Sequence, residues 1–305
     1  MKKYFIVTVD TEEDNQWSKD KIETTDNLKF LMRFQNLCEK YGIKPVYFCT
    51  YGVASNNEFV KMFKQKNTNS LCEIGMHMHA WNCPPFYEND KEYVNKPFIT
   101  EYSAEEMNDK IKNLTMLLTK QFETPPISSR SGRWALNDLY IEALINNGYK
   151  IDCSVTPYIN WSKFKGNKPK SKGTNYKKYY PKFENKDFLE CPMTIVKKHR
   201  FLLEKVSLRN VFKSFYNLFF GETIWLRPKN TATSLCDMKM IAKTKLKNNY
   251  IMFMIHSSEL MPHCNPTFIN QIDVDNLYNQ LEQLFKFIKK ENYQSITLKE
   301  YFEQN

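Results

Sequence analysis

Short apolar runs alternate with amphipathic segments along this chain, and this alternation constrains the fold more than any other feature. Residues 5–9 and 251–255 are almost wholly apolar, and residues 45–50 and 72–78 have the length of strands. Runs of this kind fit parallel strands that are buried on both faces of a sheet. Between the runs, apolar residues recur three or four apart, as in amphipathic helices.

Residues typical of helix ends and helix caps mark where the helices lie between these strands. Gly42 ends the first helical pattern, and a capping box begins at Ser103. A second capping box, at Thr297, begins the last helix. No repeat, linker or second core interrupts the alternation. The sequence therefore predicts one parallel, barrel-like α/β domain over residues 1–305, with a long surface loop at about 157–188.

Composition favours a globular protein without a nucleic-acid partner. Hydrophobic residues make up 42% and aromatic residues 15% of the 305 residues. The net charge is +10, but the lysines are spread along the chain and no arginine-rich run or nucleic-acid motif occurs. Two interpretations remain open: a solvated lysine-rich surface, or attraction to anionic partners such as phosphorylated sugars or an inner-leaflet surface.

The sequence predicts a cytoplasmic protein without a transmembrane segment. The apolar run behind the first two lysines is too short for a signal peptide and ends in acids, and no stretch reaches the roughly 18 apolar residues of a membrane span. The eight cysteines form no CxxC motif, and most lie in apolar runs typical of buried, reduced thiols. Residues 199–228 mix basic and bulky apolar side chains; we favour a helix packed on the barrel wall over peripheral membrane contact.

Chemically useful side chains stand at the ends of successive strands. Asp10 and Glu12 follow the first strand, and His77 and His79 end the third. Arg130, Asp152 and His256 then end three further predicted strands. The carboxyl ends of parallel strands are where α/β folds place their sites.

His77 and His79 form the motif with the clearest chemical meaning. Residues i and i+2 of a strand point to the same face, so the two imidazoles project side by side. Two imidazoles and one carboxylate make an open catalytic metal site. The alternative is that His79 packs against Trp81 and only His77 faces the centre.

The order of these motifs resembles the polysaccharide deacetylase family, also called the NodB-homology domain or carbohydrate esterase family 4. The matching segments are TVD at 8–10, EIGMH at 73–77, RSGRW at 130–134, DCS at 152–154 and MIH at 254–256. The resemblance covers essentially the whole chain. It implies a distorted (β/α) barrel, TIM-barrel-like, with about seven parallel strands, and metal-dependent N-deacetylation of sugars.

Three further segments resemble a branch of this family that is associated with lipopolysaccharide and O-antigen synthesis. They are residues 10–12 with 15–17, residues 77–81 and residues 256–260. This likeness implies a biological setting and not a substrate. The expected substrate is an acylated sugar linked to a nucleotide or a lipid.

The resemblance also implies roles for individual residues. Asp10 would be the general base and Arg130 would orient it, while His77 would bind the metal. His256 would be the general acid that protonates the leaving amine, tuned by Asp152.

The chain departs from the family pattern at two positions. Thr11 stands where a second aspartate usually binds metal, and we assign Glu12 as its substitute because Glu12 shares the face of Asp10. Trp81 stands where a second metal histidine is usual, and we assign His79. The expected cofactor is a divalent metal with zinc as the first choice, bound by Glu12, His77 and His79.

Several residues beside these motifs are candidates for substrate binding. Trp17, Trp81 and Trp134 either stack on a sugar ring or pack in the wall. Arg133 pairs either with a substrate carboxylate or phosphate, or with a structural acid. Ser257, Ser258 and Glu259 are candidates to hydrogen-bond sugar hydroxyls.

Three functions follow from the sequence. The first is a metal-dependent amide hydrolase that deacetylates a sugar during surface-polysaccharide assembly. The second is a metal-free hydrolase of cyclic amides. The third is a catalytically silent sugar-binding member of a glycan-assembly complex, although binding alone requires no paired acid and base.

Overall fold

The apolar runs form a parallel sheet, as the sequence predicts. The computed structural model describes residues 2–16, 22–91, 97–161, 188–198, 222–244 and 249–304. Within these ranges the strands are β1 (Lys3–Thr11), β2 (Pro45–Cys49), β3 (Glu73–Met78), β4 (Ser128–Ser131), β5 (Ile151–Asp152), β6 (Leu189–Glu190), β7 (Ile195–Lys198), β8 (Glu222–Trp225), β9 (Tyr250–His256) and β10 (Tyr293–Ser295).

Helices connect these strands in the alternation that the sequence predicts. They are α1 (Leu31–Lys40), α2 (Tyr51–Ser55), α3 (Asn57–Thr68), α4 (Glu88–Lys91), α5 (Ala104–Phe122), α6 (Asp138–Asn146), α7 (Ser234–Lys243), α8 (Gln271–Lys290) and α9 (Leu298–Glu303). Both predicted capping boxes are confirmed, with Ser103 at the start of α5 and Thr297 at the start of α9. None of the described helices is both long and apolar enough to cross a membrane.

Strand β1 is an interior strand of the sheet because it has partners on both edges. One edge pairs with β9 from Tyr4 to Asp10. The other edge pairs with β10 at its start and with β2 from Val7 to Thr11. From β2 the sheet continues through β3, β4 and β5 to β6, and all of these pairings are parallel.

Single backbone hydrogen bonds continue the ring from β5 back to β9. The Met193 N–H donates to the Val155 carbonyl at 3.0 Å, and the Leu226 N–H donates to the Thr194 carbonyl at 3.0 Å. The Met254 N–H then donates to the Leu226 carbonyl at 3.2 Å. The predicted fold class, a distorted (β/α) barrel of parallel strands, is confirmed.

The two faces of the sheet carry separate apolar clusters. The outer cluster packs the sheet against helices α1, α3, α5, α6 and α8. The inner cluster comprises Tyr4, Ile6, Val46, Phe48, Ile151, Cys153, Cys191, Met193, Ile195, Tyr250, Met252, Met254 and Ile296, with Leu298 and Tyr301 from α9. Because strand side chains alternate between faces, the inner face of β1 continues through Thr8 to Asp10.

A buried lysine anchors the loop that follows His79. Lys110 of α5 is fully buried, and its ammonium donates to the carbonyl oxygens of Cys83 and Pro85, each at 2.8 Å. Its third donor reaches the Asp90 carboxylate at 2.9 Å. All three ammonium donors are therefore used, and the loop is fixed to the barrel wall.

Two sequence predictions concern segments that lie largely outside the described residues. The predicted surface loop at 157–188 falls mainly on residues 162–187, which lie outside them. The predicted helix at 199–228 is wrong at its carboxyl end, where residues 222–225 form β8 and pair antiparallel with β7. The reason is local: Thr223, Ile224 and Trp225 are β-branched or aromatic, which favours a strand.

Candidate functional site

The candidate site lies inside the barrel, at the carboxyl ends of β1, β3, β4 and β9. In-register pairing places Asp10 opposite His256 and His77 opposite Arg130. The next inward position beyond β1 is Glu12, and the next beyond β3 is His79. Thr11 points the other way, and its hydroxyl donates to the Val9 carbonyl at 3.1 Å.

Glu12, His77 and His79 form a compact cluster, and each is at most 5% exposed. The Glu12 Oε2 atom lies 3.5 Å from Nε2 of His77 and 3.2 Å from Nε2 of His79. One ligand atom from each residue lies within 4.8 Å of the other two. The structure thus brings together the three residues that the sequence assigns to the metal.

The protonation states of this cluster suit a cation. Burial raises the pKa of Glu12, but hydrogen bonds with His77 and His79 lower it by more, so the pKa lies well below its ordinary value. Burial lowers the pKa of His79 to about 4, so its imidazole is neutral at neutral pH. An ionised carboxylate and a neutral imidazole are the ligand forms of these groups.

The hydrogen bond on the far side of His77 supports the same conclusion. Nδ1 of His77 lies 2.9 Å from the Arg130 carbonyl oxygen, which accepts a proton and cannot donate one. In the neutral ring Nδ1 therefore carries the hydrogen, and the Nε2 lone pair faces the Glu12 carboxylate. Two acceptors at 3.5 Å repel each other, so either a proton on Nε2, as in a charged His77, or a metal cation lies between them. The donor set fits a divalent metal.

Asp10 and Arg130 form a buried ion pair next to this cluster. The Arg130 guanidinium contacts the Asp10 carboxylate and donates to the Thr8 hydroxyl at 3.1 Å. Its Nε donates to the Cys153 carbonyl at 3.3 Å. Arg130 is fully buried, so these contacts hold the Asp10 carboxylate in one orientation.

His256 faces Asp10 from the end of β9. Its Nε2 lies 4.0 Å from Asp10 Oδ2, and its Nδ1 lies 3.4 Å from Glu259 Oε2. Glu259 also accepts the His256 backbone N–H at 2.9 Å and an Arg227 N–H at 2.7 Å. Burial lowers the pKa of His256, but Glu259 and the charge of Glu12 raise it by more, so the net shift is upward.

We expect Glu259→Gln to move the alkaline limb of the pH–rate profile to lower pH. The carboxylate raises the pKa of His256, so its removal lowers that pKa. A general acid acts only below its pKa, so activity would then be lost at a lower pH than in the wild type. The pH dependence of kcat/KM and an NMR titration of His256 both measure the shift. An unchanged alkaline limb would contradict this assignment.

The structure does not bring Asp152 into contact with His256, although the sequence analysis predicted that Asp152 tunes it. Ile151 and Cys153 face the barrel interior, so Asp152 between them points to the opposite face. Its carboxylate accepts from Ser129 at 2.9 Å and from the Ser154 N–H at 2.8 Å, and burial raises its pKa. The geometry assigns the tuning of His256 to Glu259 instead.

The tryptophans and the arginine that were predicted to contact the substrate differ in how exposed their side chains are. Trp81 is only 2% exposed and stacks on His79, with ring centres 4.3 Å apart. The Arg133 guanidinium lies over the Trp81 and Phe98 rings at 4.7 and 4.9 Å. Trp134 is partly exposed, whereas Trp17 lies outside the described residues.

The predicted sugar-binding polar residues after His256 make internal contacts. The Ser257 hydroxyl accepts the Glu12 N–H at 3.1 Å, and Glu259 pairs with His256 and Arg227. Both side chains are buried. Their contacts position Glu12 and His256, and the roles in sugar binding remain predictions.

Sequence reasoning missed three residues of this region. The Asn27 side chain donates to the Ser257 hydroxyl and to the Glu12 carbonyl, each at 2.9 Å. Trp225 meets Trp134 edge to face at 5.5 Å, and Arg227 neutralises Glu259. No sequence motif marks Asn27. Trp225 and Arg227 lie in the segment 199–228, which the sequence analysis predicts to be a helix.

Comparisons with known proteins give structural likeness but no sequence match. No family model matches the chain, and no curated protein matches it.

Among solved structures, three carbohydrate-active proteins are similar. The Xyl-CE4 domain of a multidomain xylanase from the hindgut metagenome of Trinervitermes trinervoides has 11% identity and a TM-score of 0.49, covering 100% of this chain and 91% of that one. A family 4 carbohydrate esterase from Streptomyces lividans has 7% identity and a TM-score of 0.45, and the match covers 96% of this chain and 91% of that one. The peptidoglycan deacetylase PdaC from Bacillus subtilis has 12% identity and a TM-score of 0.44, and the match covers 99% of this chain and 91% of that one.

Proposed function

We propose that this protein is a metal-dependent amide hydrolase that removes the acetyl group from an N-acetylated sugar. The observation that carries the proposal is the Glu12–His77–His79 cluster beside the Asp10–Arg130 pair, with His256 facing Asp10. One site thus holds a ligand set, a carboxylate base and an imidazole acid. A binding protein has no need for the last two.

The ligand set defines what a cofactor contributes. Glu12, His77 and His79 would hold a divalent cation, and zinc suits a set of two imidazoles and one carboxylate. Bound there, the cation supplies Lewis-acid polarisation of the amide oxygen and lowers the pKa of bound water.

The other residues of the site move protons. Asp10, fixed by Arg130, accepts a proton from the water that adds to the amide carbon. His256, whose pKa is raised, donates a proton to the amide nitrogen as the C–N bond breaks. The products are acetate and the free amino sugar, and His256 and Asp10 then return to their starting protonation states through solvent.

The accessible aromatic rings give the sugar a place to lie. Trp134 and Trp225 are partly exposed, and the Arg130 guanidinium carbon lies 5.5 Å from the Trp134 ring centre. Indole faces next to the Asp10–Arg130 pair suit the apolar face of a pyranose ring. We propose stacking on Trp134 and Trp225 in place of the predicted role for Trp81, which is buried.

The biological setting is also a proposal. The motif likeness supports lipopolysaccharide or O-antigen synthesis, with the sugar carried on a nucleotide or a lipid. The net charge of +10 suits either anionic carrier. A cytoplasmic location agrees with eight free cysteines, of which only Cys236 is exposed.

Metal content and product release together test the function. We expect about one zinc per chain after gentle purification, lost in His77→Ala and weakened in His79→Ala. We also expect acetate release from a panel of nucleotide-linked N-acetyl sugars. Turnover of cyclic imides by metal-free protein would support the metal-free alternative, and sugar binding without any turnover would support the silent one.

A further inference from the structure

We propose that Gly132, Arg133 and Trp81 form a packed support that aims His79 at the metal, an inference that rests on the proposed metal site. Arg133 and Trp81 are thereby positioning residues instead of substrate contacts. We call these three residues the His79 support.

The two metal-site histidines are held in different ways. His77 is fixed from behind by the hydrogen bond between its Nδ1 and the Arg130 carbonyl at 2.9 Å. Among the described residues, Nδ1 of His79 has no hydrogen-bond partner, although it is buried. Metal-binding histidines almost always have a partner on the second nitrogen, which sets the orientation of the ring. Another contact must therefore fix the His79 ring.

Gly132 supplies the first of these contacts by the absence of a side chain. A Cβ atom at Gly132 would lie 2.4 Å from Cδ2 and 3.0 Å from Nε2 of His79. It would also lie 2.9 Å from the Met78 carbonyl oxygen, which is part of the backbone and cannot swing away. The His79 ring thus occupies space that only a glycine leaves open.

Trp81 supplies the second contact through its indole face. The His79 and Trp81 ring centres are 4.3 Å apart, and the ring planes are inclined by 27°. Such stacking fixes both the plane and the position of the imidazole, in place of a hydrogen bond. His79 therefore both packs against Trp81 and faces Glu12, which the sequence analysis treated as alternatives.

Arg133 fixes the indole in turn. Its guanidinium carbon lies 4.7 Å from the Trp81 ring centre and 4.9 Å from that of Phe98. The Arg133 backbone has φ 55° and ψ 22°, a left-handed conformation that is uncommon for a residue with a side chain. This backbone geometry places Gly132 against His79 and Arg133 over Trp81 within two consecutive residues.

Metal affinity tests the support without any substrate. Apo protein is titrated with Co²⁺, and binding is followed by visible absorption and by Trp emission. We expect Gly132→Ala and Trp81→Leu to weaken binding about 10–100-fold, the range for groups that orient a metal ligand. We expect Arg133→Met to weaken it about 2–5-fold, as the loss of a cation–π contact does.

Conservative variants distinguish positioning from general damage. Trp81→Phe keeps an aromatic face and should restore affinity to within about 3-fold of the wild type. Co²⁺ should quench Trp81 emission through the stacked His79, so the quenching should be smaller in Trp81→Phe, where the other tryptophans still emit, and unchanged in the control Trp161→Phe. Wild-type affinity in both Trp81→Leu and Gly132→Ala would overturn the His79 support while leaving the metal site in place. Failure of the wild type to bind Co²⁺ or Zn²⁺ would overturn the metal site itself and the support with it. If Gly132→Ala does not fold, Trp81→Leu and Arg133→Met decide the question.

Discussion

Replacing Asp10 by asparagine is expected to lower the turnover of an N-acetyl sugar by roughly 10²–10⁴-fold, the contribution typical of a positioned general base. Asparagine keeps the shape of the side chain and can still accept a hydrogen bond from Arg130, but it cannot take a proton from water. The loss should appear in kcat, because the proposed substrate contacts lie on Trp134 and Trp225 and are unchanged by this substitution. Acetate release under saturating substrate measures it.

Two controls accompany this experiment. Asp275→Asn removes an aspartate that also pairs with an arginine, Arg33, at 2.9 Å, but on the surface. Its turnover should equal that of the wild type. Circular dichroism and a urea titration establish that Asp10→Asn is folded under the assay conditions. Wild-type turnover by a folded Asp10→Asn protein would remove Asp10 from the mechanism.

Strand periodicity explains why much of this site could be predicted from the sequence. Asp10 lies two residues from Thr8 and four from Ile6, and these positions share the inner face of β1. The same argument selects Glu12 over Thr11 and pairs His77 with His79. Parallel strands bring their carboxyl ends to one edge, so these residues meet without further information.

The wrong prediction that Asp152 tunes His256 also concerns which face of a strand a side chain occupies. Residues 149–154 alternate between apolar and polar side chains, which puts Asp152 on the face opposite Ile151 and Cys153, but the assignment of Asp152 followed the family resemblance instead of this alternation. Glu259 was singled out for a different role, because its contact with His256 depends on a short 3-10 turn at residues 257–260. The i and i+3 positions of such a turn lie on one face, which brings the carboxylate back to the imidazole.

Long-range contacts could not be predicted at all. The Ser257 hydroxyl links Asn27 to Glu12, residues separated from it by 230 and 245 positions. The stacking of Arg133 on Trp81 joins two loops that follow different strands. A sequence identifies which residues follow a strand, but the packing between loops depends on the whole barrel.

Replacing Arg130 by methionine is expected to destabilise the protein by about 3–5 kcal/mol, more than any surface substitution. Methionine keeps the length and apolar contacts of the side chain, but it leaves the Asp10 carboxylate buried without its counter-ion. Arg130 is fully buried and Asp10 is 2% exposed, so bulk water does not solvate the unpaired carboxylate as it would at the surface. Urea unfolding followed by circular dichroism measures the free energy of unfolding.

A double-mutant cycle assigns this loss to the ion pair. In the Asp10→Asn background no buried carboxylate remains, so Arg130→Met should cost much less than in the wild type. The surface pair Lys64–Glu123 at 2.7 Å provides the control, because Lys64→Met should change the stability by less than about 1 kcal/mol. Equal costs of Arg130→Met in both backgrounds would show that the guanidinium stabilises the barrel through Thr8, Cys153 and the aromatic rings around it. In that case Arg130 would be a structural residue of the barrel, and the fixed orientation of Asp10 would need another source.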